Sequence, residues 1–357
     1  MKEKIKIGII GTGFARTAQI PAFQTLSNAE IVSVASGHLE NAEKTANDFG
    51  IAHFTDDWRE TIEKDIGLVC ITTPPNTHQE MTLFALERGI AVLCEKPMAM
   101  NVAEAEEMTE KADEKGVLAL IDHELRFTNG RRKAFEILRS DKIGKVMHAK
   151  YHFCNASRGD RNLAWSWWSD EAQGGGALGA IGSHVIDTFR WFLGTEISHI
   201  FCQLSTHVKQ RPDEKSGELR EVTSDDETLM ILRFADGDLT TDATANVSIS
   251  VVEAGNYQNR VEFFGTKGAL RIEDGGEIYF ADIKENVWKQ IEVDLGEVPS
   301  NMKVGGWSRG FLNFSHELVE ALQAGKTEIE NAATFEDGLK VQEVLDAARL
   351  QRWQAEN

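Results

Sequence analysis

The segment "IKIGIIGTGFA", residues 5–15, is the most informative part of the sequence about the fold. A short apolar run ends in Gly11-Thr12-Gly13 and passes into a helix-like segment that continues through Phe23 and Leu26. Glycines allow a tight turn and a close approach of phosphate to the helix N-terminus, where free N–H groups attract anions. The context of first strand and first helix predicts a dinucleotide site, and a tight turn without a ligand is the alternative.

The rest of the chain divides into two patterns. The apolar runs "AEIVSVAS", "IGLVCITTPP", "IAVLCEKP" and "VLALID" alternate with helical segments, which predicts a parallel sheet covered on both faces. After residue 123 the strands alternate in polarity and are joined by hairpin-like turns such as "ADGD" and "GTKG". We therefore expect an α/β domain over residues 1–122 and an α+β domain with a mostly antiparallel sheet over residues 123–357.

Two later segments have their own expectations. The polar segment 209–226 is predicted to be an exposed loop. Phe311, Phe314, Leu318 and Leu322 fall on one helical face near the C-terminus, and these last helices are candidates for packing back on the first domain.

Composition excludes several classes of partner. The net charge of −19 argues against nucleic acid and against an anionic membrane surface. No run approaches the ~20 apolar residues that span a bilayer, and the start of the sequence lacks a signal-peptide cleavage pattern. The four cysteines lie far apart and form no CxxC pair, so we expect reduced structural thiols in a cytoplasmic protein and no metal site.

The end of the second strand bears on the choice of dinucleotide. An acidic residue there binds the ribose hydroxyls of NAD and repels a 2′-phosphate. This chain has Ser36-Gly37-His38 and no acid before Glu40, with Arg16 and Lys44 as further candidates for a phosphate. The pattern favours NADP(H), with NAD as the alternative.

A lysine follows a predicted strand in "VLCEKP", residues 92–97. Ligands bind at the carboxyl ends of parallel strands, and Lys96 there can polarise a developing carbonyl oxygen. Taken alone, a lysine beside a glutamate, as in Glu95-Lys96, is more often a surface ion pair.

Four motifs in order resemble the Gfo/Idh/MocA family of oxidoreductases: the glycine loop, "TTPPNTH" at 72–78, "CEKP" at 94–97 and "GGGALGAIGSHVID" at 174–187. The resemblance implies an N-terminal Rossmann domain that binds NAD(P). It also implies a C-terminal domain whose large open sheet often joins a homodimer or homotetramer. The implied reaction is the reversible oxidation of a secondary alcohol on a carbohydrate-like substrate (a sugar, a sugar derivative or a cyclitol).

The same resemblance assigns cofactor residues. The phosphate loop would consist of Gly11, Thr12, Gly13, Phe14 and Ala15. The ribose and nicotinamide would be flanked by Thr73, Pro74, Asn76 and His78, although His78 could instead orient the following helix. Glu95 would hold the nicotinamide ribose or Lys96, and Lys96 would contact the reacting substrate oxygen.

Substrate residues are expected mainly from the second half. His184 would exchange the proton with the substrate oxygen, but Ala180 stands where the family has an aspartate one turn earlier. Trp167-Trp168 replaces a Trp-Arg pair, so Arg158 or Arg161 is a candidate substitute. Further substrate candidates are His123, Arg126, Asn155 and Trp168, and the tryptophans could equally serve packing.

Two other functions are also compatible with the sequence. A relative of this kind can use NAD transiently to cleave a glycoside, with no net oxidation. A non-catalytic regulator that binds the cofactor is the third reading, to which Ala180 gives some support.

Overall fold

The computed structural model describes residues 4–350, which form two compact units. The first unit comprises residues 4–128 and 296–340, and the second comprises residues 129–295 and 341–350. Among residues 4–350, no helix combines the length and the apolar character needed to cross a membrane.

The strands and helices are numbered in chain order. The strands are β1 Ile5–Ile10, β2 Ala29–Ala35, β3 His53–Thr55, β4 Leu68–Ile71, β5 Ala91–Cys94, β6 Ala119–Ile121, β7 Val146–Cys154, β8 Ile197–Ser205, β9 Gln210–Pro212, β10 Leu219–Glu221, β11 Glu227–Phe234, β12 Thr240–Ser250, β13 Gln258–Gly265, β14 Gly268–Ile272, β15 Ile278–Asp282, β16 Lys289–Ile291 and β17 Ala333–Thr334. The helices are α1 Ile20–Gln24, α2 Leu39–Phe49, α3 Trp58–Ile62, α4 His78–Glu87, α5 Val102–Lys115, α6 Asn129–Arg139, α7 Ser183–Leu193, α8 Gly306–Gln323 and α9 Phe335–Leu350.

The first unit is built on a seven-stranded sheet in the order β17-β6-β5-β4-β1-β2-β3. Its strands are parallel except β17, which pairs antiparallel with β6. The direction of winding reverses between β1 and β4, which is the point where open α/β sheets bind ligands. The predicted Rossmann-type architecture is confirmed, and the short strands β3 and β17 are additions that the sequence patterns did not indicate.

Both faces of this sheet are covered, which explains why its strands are continuously apolar. One face packs Ile7, Ile9 and Leu93 against helices that include Phe23 and the C-terminal helix α8. Phe311 of α8 meets Phe23 edge to face, with ring centroids 5.5 Å apart. The other face packs against α4 and α5 through the cluster that holds Val69, Val92, Met81 and Met108.

The second unit carries an eight-stranded sheet in the order β16-β15-β14-β13-β7-β12-β11-β8. All neighbouring strands are antiparallel except β7 and β12, so the predicted mostly antiparallel sheet is confirmed. Helix α7 covers one face, where Phe189 packs edge to face on Phe234 and Phe263. The strict alternation of buried and exposed residues along β11 shows that this strand is buried on one side only.

The prediction of an exposed loop over residues 209–226 is wrong in part. Strands β9 and β10 pair antiparallel within it, and Arg211, Asp225 and Asp226 are buried. These charged groups tolerate burial because they are bonded: the Arg211 guanidinium donates to the carbonyls of Asp160 and Arg158, and Asp226 accepts the backbone N–H groups of His207 and Val208.

Candidate active site

The carboxyl ends of the parallel strands bring the predicted cofactor residues to one edge of the first unit. Because β1, β2, β4, β5 and β6 all run in the same direction, the segments that follow them share that edge. These segments contain Gly11, Thr12, Gly13, Phe14, Ala15, Ser36, Gly37, His38, Thr73, Pro74, Asn76, His78, Glu95, Lys96, His123 and Arg126.

The glycine loop has the geometry that a phosphate cradle requires. Gly11 has φ +100°, and a Cβ there would lie 2.4 Å from the Thr72 carbonyl oxygen, so only glycine fits. Gly13 is exposed, and a Cβ on it would meet nothing within 4 Å. The chain then enters a π-helical turn at Ala15–Gln19 before α1. The open space at Gly13 beside a helix start fits the pyrophosphate of a dinucleotide.

The end of β2 is open on the side of the candidate ribose site. Ser36 is buried and its Oγ accepts the His38 N–H at 3.4 Å, while Gly37 has nothing within 4 Å of a Cβ. Arg16 is already engaged: its guanidinium donates to Thr45 Oγ1 at 2.9 Å and pairs with Asp48 at 2.5 Å. Arg16, with Lys44, holds the pKa of Asp48 below its usual value.

His78 lies behind the loops rather than at their surface. It is fully buried, with Nδ1 3.1 Å from the Pro97 carbonyl and Nε2 2.9 Å from the Thr73 carbonyl. Burial lowers its pKa, and the charge of Lys96 acts in the same direction. This geometry suits a residue that joins the loop after β4 to the loop that carries Lys96.

Lys96 follows β5 and is half-buried, next to a buried group of polar side chains. Gln19 Nε2 donates to Glu95 Oε1 at 3.3 Å and to Asp122 Oδ2 at 2.8 Å, so this amide links the two carboxyl groups. A Glu95 carboxylate oxygen also accepts the Lys96 backbone N–H at 3.4 Å. The Lys96–Pro97 bond is cis, a point that the sequence left open.

Both buried carboxyl groups have raised pKa values. Burial raises the pKa of Asp122 well above its usual value, and the neighbouring Glu95 and Glu124 raise it further. Burial also raises the pKa of Glu95, although Lys96 opposes that shift. The position of Asp122 beside Glu95 could not be predicted from the sequence, because Gln19, Glu95 and Asp122 are far apart along the chain.

The turn after β6 is buried and tied to the C-terminal part of the same unit. His123 and Arg126 are almost completely inaccessible. Arg126 Nη1 lies 3.2 Å from Asp337 Oδ2 and 3.4 Å from the Asn331 carbonyl. Gly310 of α8 approaches so closely that a Cβ would lie 2.3 Å from the Glu124 carbonyl. These contacts give Arg126 a packing role in addition to its predicted place near substrate.

In the second unit, two glycines of the run 174–176 pack in close contact with backbone atoms and with a buried carboxyl group. A Cβ on Gly175 would lie 2.3 Å from the Trp168 carbonyl, and one on Gly176, at φ +114°, would lie 2.2 Å from Asp225 Oδ1. Asp225 also accepts the Leu178 N–H at 2.8 Å, and burial raises its pKa to about 6. Internal packing therefore requires these two glycines, and Asp225 is a residue that the sequence reasoning missed.

His184 lies in the first turn of α7 and is 2 % exposed. A π-helical turn, Leu178–Gly182, precedes α7 and contains Ala180. Such turns are rare and recur at functional sites. Asp187, on the same helix, is also buried.

A buried polar network anchors α7 to the sheet of the second unit. Arg131 of α6 donates to Thr188 Oγ1 at 2.8 Å, one turn beyond His184, and to the Tyr151 hydroxyl at 3.2 Å. The Tyr151 hydroxyl in turn donates to Asn259 Oδ1 at 2.7 Å. Arg131 was not among the predicted site residues, since nothing in "NGRRKAFEILRS" distinguishes it from its neighbours.

The segment after β7 arranges the other substrate candidates. Asn155 Oδ1 accepts the Ser157 N–H at 2.9 Å and so shapes a turn. The half-buried Arg158 guanidinium stacks over the Trp168 ring at 4.6 Å. Burial lowers the pKa of Arg158, and Arg211 adds to the shift. Trp165, by contrast, donates to the Glu221 carbonyl at 2.8 Å and packs under Arg220.

Comparison with known proteins identifies both domains of the chain. Residues 5–123 match a model described as an oxidoreductase family with an NAD-binding Rossmann fold, and residues 131–271 match the GFO/IDH/MocA C-terminal domain. An uncharacterised oxidoreductase of Synechocystis sp. is 31 % identical over 268 residues, 74 % of this chain and 71 % of that protein.

Two further relatives carry named activities. Glucose-6-phosphate 3-dehydrogenase of Bacillus subtilis is 26 % identical over 348 residues, 96 % of this chain and 94 % of that protein. A solved structure of levoglucosan dehydrogenase in complex with NADH and levoglucosan superposes with a TM-score of 0.86 at 26 % identity, covering 98 % of this chain and 97 % of that one. With both of its domains matched, the chain belongs to the Gfo/Idh/MocA family of NAD-binding oxidoreductases.

Proposed function

We propose that this oxidoreductase transfers a hydride between a nicotinamide dinucleotide and a secondary alcohol or ketone of a sugar, sugar derivative or cyclitol. The observation that carries the proposal is Lys96, half-buried at the carboxyl edge of the parallel sheet beside the switch in winding. The sugar substrates named for levoglucosan dehydrogenase and glucose-6-phosphate 3-dehydrogenase support the substrate class.

The first unit would hold the cofactor and the second would supply most substrate contacts. Gly11 to Ala15 would bind the pyrophosphate, and the segments after β2 and β4 would hold the ribose and nicotinamide portions. When bound, the nicotinamide ring supplies the hydride donor or acceptor.

The protein side chains manage the charge and the proton. The Lys96 ammonium would donate a hydrogen bond to the reacting oxygen and stabilise negative charge there. The His184 imidazole would accept the hydroxyl proton during oxidation or return it during reduction. The Glu95–Asp122–Gln19 group would orient the Lys96 backbone, and Asn155, Arg158 and Trp168 would define the substrate pocket.

The finer preference for NADP(H) is also a proposal. Its support is the absence of an acidic side chain at Ser36-Gly37-His38, together with the open space at Gly37. The Arg16–Asp48 pair opposes it, because a 2′-phosphate has to compete with Asp48 for that guanidinium. Tighter binding of NADH than of NADPH by the purified wild-type protein would overturn the preference.

The cysteines and the sheet of the second unit bear on the compartment and the oligomeric state of the enzyme. We propose a cytoplasmic enzyme, since its four cysteines are free and buried. We also propose a homodimer or homotetramer formed through the sheet of the second unit, whose exposed face carries Phe201, Leu229 and Ile231.

A turnover assay tests the function. Purified protein is mixed with NAD⁺ or NADP⁺ and a panel of sugars, sugar phosphates and cyclitols, and the absorbance of reduced nicotinamide is followed. We expect oxidation of at least one class with stoichiometric cofactor reduction. Substrate cleavage without net reduction would instead indicate transient use of the cofactor, and binding without any turnover would indicate a regulator. Failure to bind either dinucleotide would refute all of these readings.

A further inference from the structure

Three potential metal ligands meet where the central strands of the second unit end. His152 and Cys154 lie two residues apart on β7, so their side chains share a face. Glu253 follows β12, which pairs in parallel with β7 so that Ser250 lies opposite Cys154. One ligand atom from each of His152, Cys154 and Glu253 lies within 4.8 Å of the others. Among residues 4–350, no other group of three His, Cys, Asp or Glu side chains meets this criterion.

The surroundings of the thiol suit a bound cation. Cys154 is buried, and its Sγ lies 3.5 Å from the Asn256 carbonyl oxygen. That oxygen is a further potential metal ligand. Arg260 lies opposite His152 in β13, but its guanidinium is bound to Glu273 at 2.9 Å. That pairing neutralises the nearest cation on the neighbouring strand.

The donor set matches borderline-soft divalent metals. Thiolate sulfur and imidazole nitrogen select Zn²⁺ over Mg²⁺ or Ca²⁺, and a carboxylate completes a three-ligand set. Bond lengths of about 2.3 Å to sulfur and about 2.0–2.2 Å to nitrogen and oxygen place tetrahedral donors roughly 3.3–3.6 Å apart. The cluster therefore has to contract by about an ångström, and Glu253 is exposed and free to change rotamer.

We propose that His152, Cys154 and Glu253 bind one Zn²⁺ or a similar thiophilic divalent cation, with the Asn256 carbonyl or a water as fourth ligand. On binding, the Cys154 S–H bond breaks, its proton passes to solvent, and the sulfur electron pair forms the bond to the metal. The cation would fasten the ends of β7 and β12 to the start of β13. Asn155 and the segment that carries Arg158 and Trp168 begin at this point, so the site would steady the base of that segment.

The binding has a defined pH dependence. A cysteine thiol has to lose its proton before its sulfur binds a metal. The metal has to displace that proton, so affinity should rise with pH across the neutral range. This proposal concerns the second unit alone and stands independently of the proposed dehydrogenase activity.

Titration with Co²⁺ provides the test, because a cobalt–thiolate bond gives a charge-transfer absorption that oxygen and nitrogen ligands cannot produce. Protein treated with a chelator and then dialysed is titrated with Co²⁺, and Zn²⁺ is added afterwards. We expect the band to saturate at one equivalent and to disappear when Zn²⁺ displaces the cobalt. It should be absent from Cys154→Ser and retained in Cys202→Ser, since Cys202 is a buried free thiol in β8 of the same sheet.

Two further measurements keep the result interpretable if Cys154→Ser folds poorly. Glu253→Gln changes only an exposed side chain, and we expect it to weaken Co²⁺ binding by at least tenfold without altering the metal-free melting temperature. Zn²⁺ should raise the melting temperature of the wild type by a few degrees and leave that of Glu253→Gln nearly unchanged. Absence of a thiolate band in the wild type, or an equal band in Cys154→Ser, would refute the site.

Discussion

Lys96 and His184 are the two side chains on which the proposed chemistry rests, and each is held by its own unit. Lys96 follows β5 and its backbone N–H is bound by Glu95. His184 is almost inaccessible on α7, a helix that Arg131 fastens to the sheet through Thr188. Such fixed positions are what general acid–base groups require.

Replacing either side chain should remove turnover and leave the fold intact. We expect Lys96→Met and His184→Asn each to lower kcat by roughly 10²-fold or more, because a positioned donor or base is lost. Steady-state kinetics with the substrate identified by the panel provide the measurement. The exposed residues Lys64 and His316 offer matched controls, Lys64→Met and His316→Asn, which should retain full activity. Wild-type kcat in Lys96→Met and His184→Asn alike would remove the catalytic assignment.

Gly37 is the residue at which cofactor preference can be switched. A Cβ there meets nothing within 4 Å and φ is not in the left-handed region, so a side chain fits without strain. We expect Gly37→Asp to weaken NADPH relative to NADH by at least tenfold, since the carboxylate repels a 2′-phosphate and accepts ribose hydroxyls. Fluorescence titration with both dinucleotides measures the ratio. Gly37→Ala is the control, and an equal change in that variant would show that charge is not the cause.

Some site residues could be predicted individually and others could not. Gly11 is predictable because a strand–turn–helix imposes a local demand on the backbone. Asp122 and Asp225 are not, because their roles depend on Gln19 and Glu95 in one case and on Gly176 and Leu178 in the other. These partners are far away in sequence, and neither acid stands in a distinctive local pattern.

At the scale of elements, two helix starts depart from regular α-helix. The chain enters α1 through Ala15–Gln19 and α7 through Leu178–Gly182, and both turns are π-helical. The glycines beside each turn were visible in the sequence, but the extra residue per turn was not, since periodicity over five residues cannot separate the two helix types.

Strands β5 and β6 and the turn that carries Gln19 bring two buried carboxyl groups, Glu95 and Asp122, together next to Lys96. The groups that face Asp122 are Gln19, Glu95 and Glu124, and Lys96 acts on Glu95. Because the folded pKa of Asp122 lies above its unfolded value of about 3.9, the stability it contributes is fully present below that value. That contribution is lost as the pH rises through the folded pKa.

Asp122→Asn should therefore alter how stability depends on pH. Asparagine keeps the hydrogen-bonding shape of a protonated aspartic acid but does not titrate. We expect the melting temperature of the variant, relative to wild type, to increase as the pH rises from the unfolded pKa of about 3.9 through the raised folded pKa of Asp122. Differential scanning calorimetry at matched ionic strength measures the difference. Glu124→Gln is the comparison variant, and a difference for Asp122→Asn that falls with pH would show that Asp122 is ionised in the folded protein.

At the scale of the whole molecule, one face of the large sheet in the second unit carries exposed apolar side chains. Phe201 of β8 and Ile231 of β11 lie directly opposite each other and are 59 % and 57 % exposed. Leu229 extends the same face. Adjacent exposed apolar side chains of this size are typical of an interface between subunits.

A charge at this face should dissociate the proposed oligomer. We expect Phe201→Glu combined with Ile231→Glu to elute as a single chain, because burying two carboxylates at an interface is unfavourable. Size-exclusion chromatography with light scattering measures the mass. Val304→Glu, at an exposed valine of the first unit, is the control and should keep the wild-type mass. A wild type that is already monomeric would exclude the proposed assembly.

The C-terminal region shows how chain order and architecture diverge. Residues 296–340 belong to the first unit, where Phe311 and Phe314 of α8 fill its core and β17 extends its sheet. An amphipathic helix is predicted by the spacing of Phe311, Phe314, Leu318 and Leu322. This periodicity identifies the apolar face of the helix but does not show which surface of the protein covers that face.

The class of each half, the glycine loop, the lysine at a strand end and the family resemblance all follow from the order of residues along the chain. They do so because hydrophobic period and backbone demands act over a few residues. The link between Glu95 and Asp122 through Gln19, the packing of Gly176 against Asp225, and the cluster of His152, Cys154 and Glu253 follow from the tertiary structure alone. Each joins strands or loops whose register is set by packing between distant segments, which no short stretch of sequence encodes.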